Sequence, residues 1–262
     1  MHVFEFTHAI VREPGESVVG GLRQDATAQP SYDRLMLEHR RYVDALAEAG
    51  LAVDILPPLE EFPDSVFVED PALVFGEGAI LLRPGAPSRA GEREGMRSAL
   101  ARHFANVLEL QDGEDADGGD ILVTPECVFI GLSARTTRAG AEALAQHLAS
   151  LGKKAKIVYT PKGVLHFKTA CALLSEDTII ATAPMAESGV FAGFRVLTTP
   201  PGEEAAANLL RLNRIVLVSD GYLGTAEMIA RQGLPVRLLP THEVAKLDAG
   251  LSCMSLRWAK QG

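Results

Sequence analysis

Cysteine is scarce in this 262-residue chain: only Cys127, Cys171 and Cys253 occur, widely separated, odd in number and without a C-x-x-C pair. That spacing excludes a disulfide framework and a zinc knuckle. Basic residues are in the minority, 25 Lys and Arg against 34 Asp and Glu, for a net charge of −9. Nucleic acid or an anionic membrane would have to bind against that field, so neither is an expected partner. Long apolar runs are missing too. Even the segments around 179–181 and 215–218 are interrupted far short of the roughly 18 residues that a membrane helix needs. The start, Met-His-Val-Phe-Glu-Phe-Thr-His, has neither the basic residues nor the apolar run of a secretory signal, and a cytoplasmic protein is expected. What is present, 47% hydrophobic and 23% charged residues, suits a soluble globular protein, expected as one domain over 1–262, with a small cationic or zwitterionic ligand.

The informative pattern is a repeat. Four segments, 70–83, 119–133, 169–182 and 206–219, each read as two short apolar strands around a tight turn. Met96, Leu100 and Phe104 recur at helical spacing after the first, as do Leu144, Leu148 and Leu151 after the second, predicting amphipathic helices over 92–104 and 139–151. Strands follow at 106–110 and 155–159, and the order recurs with a helix over 225–232 and a strand over 235–239. Units starting at Asp70, Asp120, Thr169 and Ala206 are followed by a fifth candidate at Gly250, which has one strand left before the chain stops. The strand expected over 2–11 lacks a preceding partner. Pairing the two ends would close a ring, so an α/β propeller of ββαβ units is expected, with an ordinary open α/β sheet as the alternative.

Polar residues fall at matching places in this repeat. Asp117 precedes Asp120 by three residues, His166 precedes Thr169 by three, Glu69 and Asp70 open the first hairpin, and Cys253 follows Gly250. Arranged about an axis, these entries meet at one end. Taken singly, each has a plainer reading. Cys127 and Cys171 sit in apolar strands and read as core thiols. Asp117-Gly-Gly-Asp120 fits a turn with Asx hydrogen bonds, and His166 fits a core histidine. Cys253, approached by Asp-Ala-Gly-Leu-Ser, fits either a structural thiol or a nucleophile that a ligand can approach closely. A divalent-metal site from Glu69, Asp70, Asp117, Asp120 and His166 is conceivable by donor type, but no spacing favours it, and neither metal nor cofactor is expected.

With those positions in hand, the sequence resembles the dimethylarginine dimethylaminohydrolase family of the guanidine-modifying pentein superfamily. The segments that carry the likeness are Phe62-Pro-Asp-Ser-Val-Phe-Val-Glu-Asp-Pro71, Arg83-Pro-Gly-Ala-Pro-Ser-Arg89, Asp117-Gly-Gly-Asp120, Gly131-Leu-Ser-Ala-Arg-Thr136, Leu165-His-Phe-Lys168 and Asp248-Ala-Gly-Leu-Ser-Cys-Met-Ser255. The resemblance implies a fivefold pseudosymmetric propeller. It also implies hydrolysis of Nω-methylated arginine to citrulline and methylamine or dimethylamine, without a cofactor, by a monomer or homodimer. It implies Cys253 as nucleophile, His166 as acid and then base, and Asp117 as the carboxylate orienting His166; some relatives place Glu where Asp117 stands. Leu22, Asp64, Glu69, Asp70, Arg89, Arg135 and Leu247 are the implied substrate contacts, Leu22 lying in a Gly-rich segment that resembles the family's lid.

These residue types suit the chemistry. A guanidinium carbon is a poor electrophile, so attack calls for a thiolate. Carboxylates such as Asp64, Glu69 and Asp70 accept from planar N–H groups and an α-ammonium, while Arg89 and Arg135 suit an α-carboxylate. The rival readings are an arginine deiminase or amidinotransferase, relatives that are commonly longer, and a non-catalytic amino-acid-binding pentein.

Overall fold

The structure is a computed structural model that describes residues 3–260. Its strands in chain order are β1 (His8–Arg12), β2 (Ala52–Leu56), β3 (Ala72–Phe75), β4 (Gly78–Leu81), β5 (Val107–Glu109), β6 (Ile121–Val123), β7 (Val128–Leu132), β8 (Ala155–Tyr159), β9 (Cys171–Leu173), β10 (Thr178–Ala181), β11 (Arg195–Thr198), β12 (Leu210–Leu212), β13 (Ile215–Ser219), β14 (Val236–Leu239) and β15 (Leu256–Trp258). The helices are α1 (Tyr32–Glu48), α2 (Glu92–His103), α3 (Arg138–Ser150), α4 (Ala183–Glu187), α5 (Leu223–Ala230) and α6 (His242–Ala245).

The strands form five three-stranded sheets of one design. In four of them a hairpin is followed by a helix and a third strand that pairs parallel to the hairpin's second strand, as in β3-β4-β5 and β6-β7-β8. The fifth sheet joins the ends of the chain: β15 lies antiparallel to β1, with Trp258 opposite His8, and β1 then pairs parallel to β2 through α1. The expected ring closure is therefore present, and the open-sheet alternative is not. Of the strand expected over 2–11, His2 lies outside the described residues and the strand itself begins at His8.

Burial explains which elements were conspicuous. Middle strands are covered on both faces and read as continuous apolar runs; every residue of β4 and β10 is buried. Outer strands such as β2 and β11 are half-covered, and their pattern is weak. The first strands face the axis: β15 packs against β3, β9 against β6, and β12 against β9. Between neighbouring sheets the core is apolar; α1 buries Leu35, Tyr42, Ala45 and Leu46 with Ala9, Val11, Leu212 and Leu217. Each such aliphatic side chain contributes about 2 kcal/mol of transfer free energy.

The helix expected over 225–232 begins two residues earlier, at Leu223. Its cap comes from outside the local sequence: the Glu203 carboxylate accepts from Gly224 N at 3.0 Å and Thr225 N at 2.6 Å, satisfying first-turn amides that the N-cap residue Tyr222 does not cap with its side chain.

Candidate active site

Each unit is entered through a short turn, and these turns carry the polar residues. Asp117, with φ −96° and ψ 138°, precedes the 3-10 turn Gly118–Asp120; His166, with φ −129° and ψ 149°, precedes Phe167–Ala170. Both are extended residues at the same point of consecutive units, as the sequence spacing implies. Asn208 follows the corresponding turn Glu204–Ala207 ahead of β12, Cys253 lies ahead of β15, and Glu69 and Asp70 lie ahead of β3.

Asp117 and His166 meet with Oδ2 to Nε2 at 3.0 Å. The other oxygen of Asp117 accepts from Gly85 N at 2.6 Å, so this fully buried carboxylate has a fixed orientation. Asp120 binds Ser133 Oγ and Thr136 Oγ1, each at 2.6 Å, and Phe167 N at 2.8 Å, tying the loop after β7 to the His166 turn. The two glycines between Asp117 and Asp120 are required by close approach. A Cβ on Gly118 would stand 1.9 Å from the Glu69 carbonyl oxygen, and one on Gly119 would stand 2.9 Å from His166 Nδ1 and 3.0 Å from Asp70 Oδ1.

The electrostatics follow from burial among carboxylates. Burial opposes protonation of His166, but the hydrogen bond it donates to Asp117 and the charges of Asp70, Asp120 and Asp117 outweigh it, pushing its pKa up to about 9. Burial raises Asp120 to about 6, moderated by His166 and its three hydrogen-bond donors. The Cys253 thiol is pushed up to about 11, by burial first and then by the negative charge of Glu69 and Asp70.

Around this centre, Glu69 is ion-paired with Lys168 and accepts from Ser252 Oγ at 3.3 Å, and its backbone N–H donates to the Cys253 carbonyl at 3.2 Å. Asp70 pairs with Arg89 and accepts from Gly119 N at 2.9 Å. Arg89 is buried, and its hydrogen bonds are internal: a forked pair to Glu92 at 2.8 Å, Asp70, and the carbonyls of Asp64 and Phe67. Arg135 is more open, with Nη1 4.0 Å from Asp117 Oδ2. Asp64 accepts from Leu22 N at 3.0 Å, and a Cβ on Gly21 would stand 3.0 Å from both Asp64 Oδ1 and Leu247 Cδ2, which places Leu22, Asp64 and Leu247 near one another. Burial raises the Asp64 pKa.

Glu92, Lys168 and Asn208 were not singled out by the sequence reading. Lys168 lies within a motif segment, but Glu92 and Asn208 carry no motif, and only the three-dimensional pairing reveals them. Cys171 is a buried core thiol that donates to the Phe167 carbonyl at 3.3 Å. A cavity of about 600 Å³ opens toward the hairpin turns, with Glu69, Lys168, Ser252 and Arg257 among its lining; Cys253, His166 and Asp117 do not line it. Asp70, Asp117 and His166 offer donor atoms within 4.8 Å of one another, each already hydrogen-bonded within the chain.

Residues 52–216 match the family model described as arginine deiminase, a span that holds Asp117 and His166 and ends before Cys253. Over 254 residues the chain is 37% identical to N(G),N(G)-dimethylarginine dimethylaminohydrolase of Pseudomonas aeruginosa, covering 97% of this chain and 100% of that protein. The chain belongs to the arginine deiminase and dimethylarginine dimethylaminohydrolase family. Within that family, the fold superposes with a TM-score of 0.94 on a mutant of the Pseudomonas aeruginosa enzyme complexed with citrulline, at 37% identity, covering 97% of this chain and 100% of the other. The same values hold for a dimethylarginine dimethylaminohydrolase mutant in adduct with S-methyl-L-thiocitrulline. The family's fivefold arrangement of small α/β sheets is the arrangement described above.

Proposed function

We propose that the protein hydrolyses Nω-methylated arginine, asymmetric dimethylarginine or monomethylarginine, to citrulline and dimethylamine or methylamine. The observation that carries this reading is the convergence of Asp117, His166, Glu69, Asp70 and Cys253 on one end of the ring, within a chain 37% identical along nearly its whole length to a dimethylarginine dimethylaminohydrolase. The relative bound to citrulline and the one in adduct with S-methyl-L-thiocitrulline support the same substrate chemistry.

In this reading the thiolate of Cys253 attacks the guanidino carbon and forms a C–S bond. His166, protonated at neutral pH because its pKa stands near 9, donates a proton to the departing amine as the C–N bond breaks. A cationic thiouronium is left on sulfur. His166, now neutral, takes a proton from water; the hydroxide adds to the carbon, the C–S bond breaks as the hydroxyl proton leaves to solvent, and citrulline departs with the thiolate restored. Asp117 holds the imidazole in place and stabilises its charged form throughout. Glu69, Asp70 and Asp64 face the guanidinium and the α-ammonium, Arg135 serves the α-carboxylate, Arg89 fixes Asp70 and the Asp64 backbone through its internal hydrogen bonds, and Leu22 and Leu247 close over the ligand. A thiol raised to about 11 is protonated at rest, so the positive charge of the substrate favours its ionisation, the proton leaving to solvent because His166 already holds its own.

Free thiols at Cys127, Cys171 and Cys253 suit a reducing compartment, supporting a cytoplasmic location. We read 1–262 as one domain, because strands from both ends of the described chain share a sheet, and propose a monomer or homodimer, as the family resemblance implies.

The deciding experiment supplies arginine, monomethylarginine and dimethylarginine separately and quantifies citrulline, ammonia and amine. Release of methylated amines with citrulline, abolished by Cys253→Ser, is expected. Preferred turnover of plain arginine with ammonia release would reassign the protein as a deiminase, and full activity in Cys253→Ser would remove the nucleophile.

A further inference from the structure

Asn208 follows the entry turn Glu204–Ala207 of the fourth unit, whereas Asp117 and His166 precede the corresponding turns of two earlier units. Its Nδ2 donates to Cys253 Sγ at 3.5 Å, and its Oδ1 accepts from Ser252 N, the residue before the cysteine, at 3.2 Å. The second bond settles which way the amide points: with the oxygen on a backbone N–H, the NH2 group is the end that faces sulfur. The fit is close. A Cβ on Gly250 would stand 2.5 Å from Asn208 Cγ, so glycine at 250 is what admits the amide to the loop.

From this geometry we propose that Asn208 is a further catalytic residue, a neutral hydrogen-bond donor that stabilises the Cys253 thiolate and aims it at the guanidino carbon. The inference rests on the reading of Cys253 as the nucleophile. Thiol enzymes commonly favour the thiolate with a neighbouring cation. Here a cation touching sulfur would repel the guanidinium that must approach it. An amide dipole strengthens its hydrogen bond as sulfur gains charge yet adds no net charge, so it favours the thiolate without cost to the cationic substrate. The ionisable groups that bear on the thiol, Glu69 and Asp70 from the loop before β3 and Tyr42 from α1, do not supply this stabilisation; the two carboxylates oppose ionisation. Asn208 works in the opposite sense.

The test compares the unaltered protein with Asn208→Ala and the nearly isosteric Asn208→Asp. Alkylation of Cys253 by iodoacetamide is followed from pH 6 to 10, resolved by peptide mass, beside steady-state kinetics on dimethylarginine. Both variants are expected to react several-fold more slowly at pH 7.5, with the onset of reactivity displaced upward by about one pH unit. Turnover is expected to fall about tenfold or more with KM changed by less than about threefold, a split that a merely structural role would not produce. Should the variants fail to fold, the side-chain amide resonance of Asn208 in the unaltered protein is expected to shift as Cys253 is titrated or alkylated. An unshifted alkylation profile in folded variants, or an amide resonance indifferent to the state of the thiol, overturns the proposal. Loss of turnover in Cys253→Ser beside silent Asn208 variants rejects this inference alone, whereas retained turnover in Cys253→Ser rejects the underlying reading.

Discussion

Asp117 Oδ2 and His166 Nε2 stand 3.0 Å apart although 49 residues separate them in sequence, because each opens an equivalent turn in neighbouring units. Asp117→Asn keeps the shape of the contact and removes its charge. Turnover should fall by about 10⁴, the loss seen when the orienting carboxylate of a catalytic histidine is neutralised or removed. Circular dichroism should stay unchanged; undiminished turnover would separate the pair from catalysis.

The same contact sets a pH dependence of stability. The His166 pKa is raised from 6.5 to about 9, so the folded state holds a proton that the unfolded chain releases. The resulting stability is fully present below about pH 6.5 and is lost as pH rises through 9. Urea midpoints measured at pH 6 and pH 9.5 should therefore drop more in the unaltered protein than in Asp117→Asn. Equal drops would show that other groups control this window.

Much of this arrangement is legible in the chain. Hairpins such as β3-β4 announce themselves through doubly covered middle strands, and the even spacing of Asp117 and His166 before their hairpins places both at one end of the ring. Other parts are masked for physical reasons. The buried face of α1 includes Glu38 and His39, which break its apolar stripe, and β11 has exposed residues at both ends. Asn208 acts through a single amide whose two partners lie 44 and 45 residues away, and no local pattern marks it.

The two glycines beside Asp117 should respond differently to alanine. Gly118→Ala drives a methyl into the Glu69 carbonyl, which is backbone and cannot step aside; destabilisation of about 3 kcal/mol is expected from thermal or urea unfolding. Gly119→Ala presses instead on the His166 ring and the Asp70 carboxylate. Its main effect should be on turnover, lowered about tenfold or more, with a smaller loss of stability. Equal behaviour of the two variants would contradict the packing described.

Arg89 and Glu92 form a buried fork, and Glu92 has no counterpart among the residues expected to meet substrate. Glu92→Ala leaves a desolvated guanidinium with Asp70 as its remaining acidic partner. Breaking a buried pair from one side costs about 3 to 5 kcal/mol, and the urea midpoint should fall accordingly. Because Glu92 also orients Arg89, KM should rise as well. A variant as stable as the unaltered protein would show that the pair is not needed for folding.

Asp70, Asp117 and His166 lie close enough to hold a cation, yet Asp70 already binds Arg89 and Gly119 N, and Asp117 binds Gly85 N and His166. A metal would have to displace those bonds, and the thiol route requires none. Exhaustive chelation should leave turnover unchanged. Activity lost to a chelator and restored by a divalent ion would reverse that conclusion.

The segment carrying Leu22 is held to the body by carboxylates acting on its backbone amides. Glu60 accepts from Glu16 N and Ser17 N, each at 3.0 Å; Asp64 accepts from Leu22 N; and Asp248 accepts from Gln24 N at 2.6 Å. Leu22 itself is 39% exposed, while Val18 of the same segment is buried in the core. Replacing Glu60 with Gln and Asp248 with Asn weakens charge-assisted bonds at both ends of the segment while leaving Asp64 in place. Faster amide exchange and faster proteolysis are expected over residues 15–25, with KM for dimethylarginine raised severalfold and the alkylation rate of Cys253 increased as its cover loosens. Unchanged exchange in the double variant would mean that the carboxylates do not latch the segment. Unchanged KM beside faster exchange would mean that the segment does not close over the ligand.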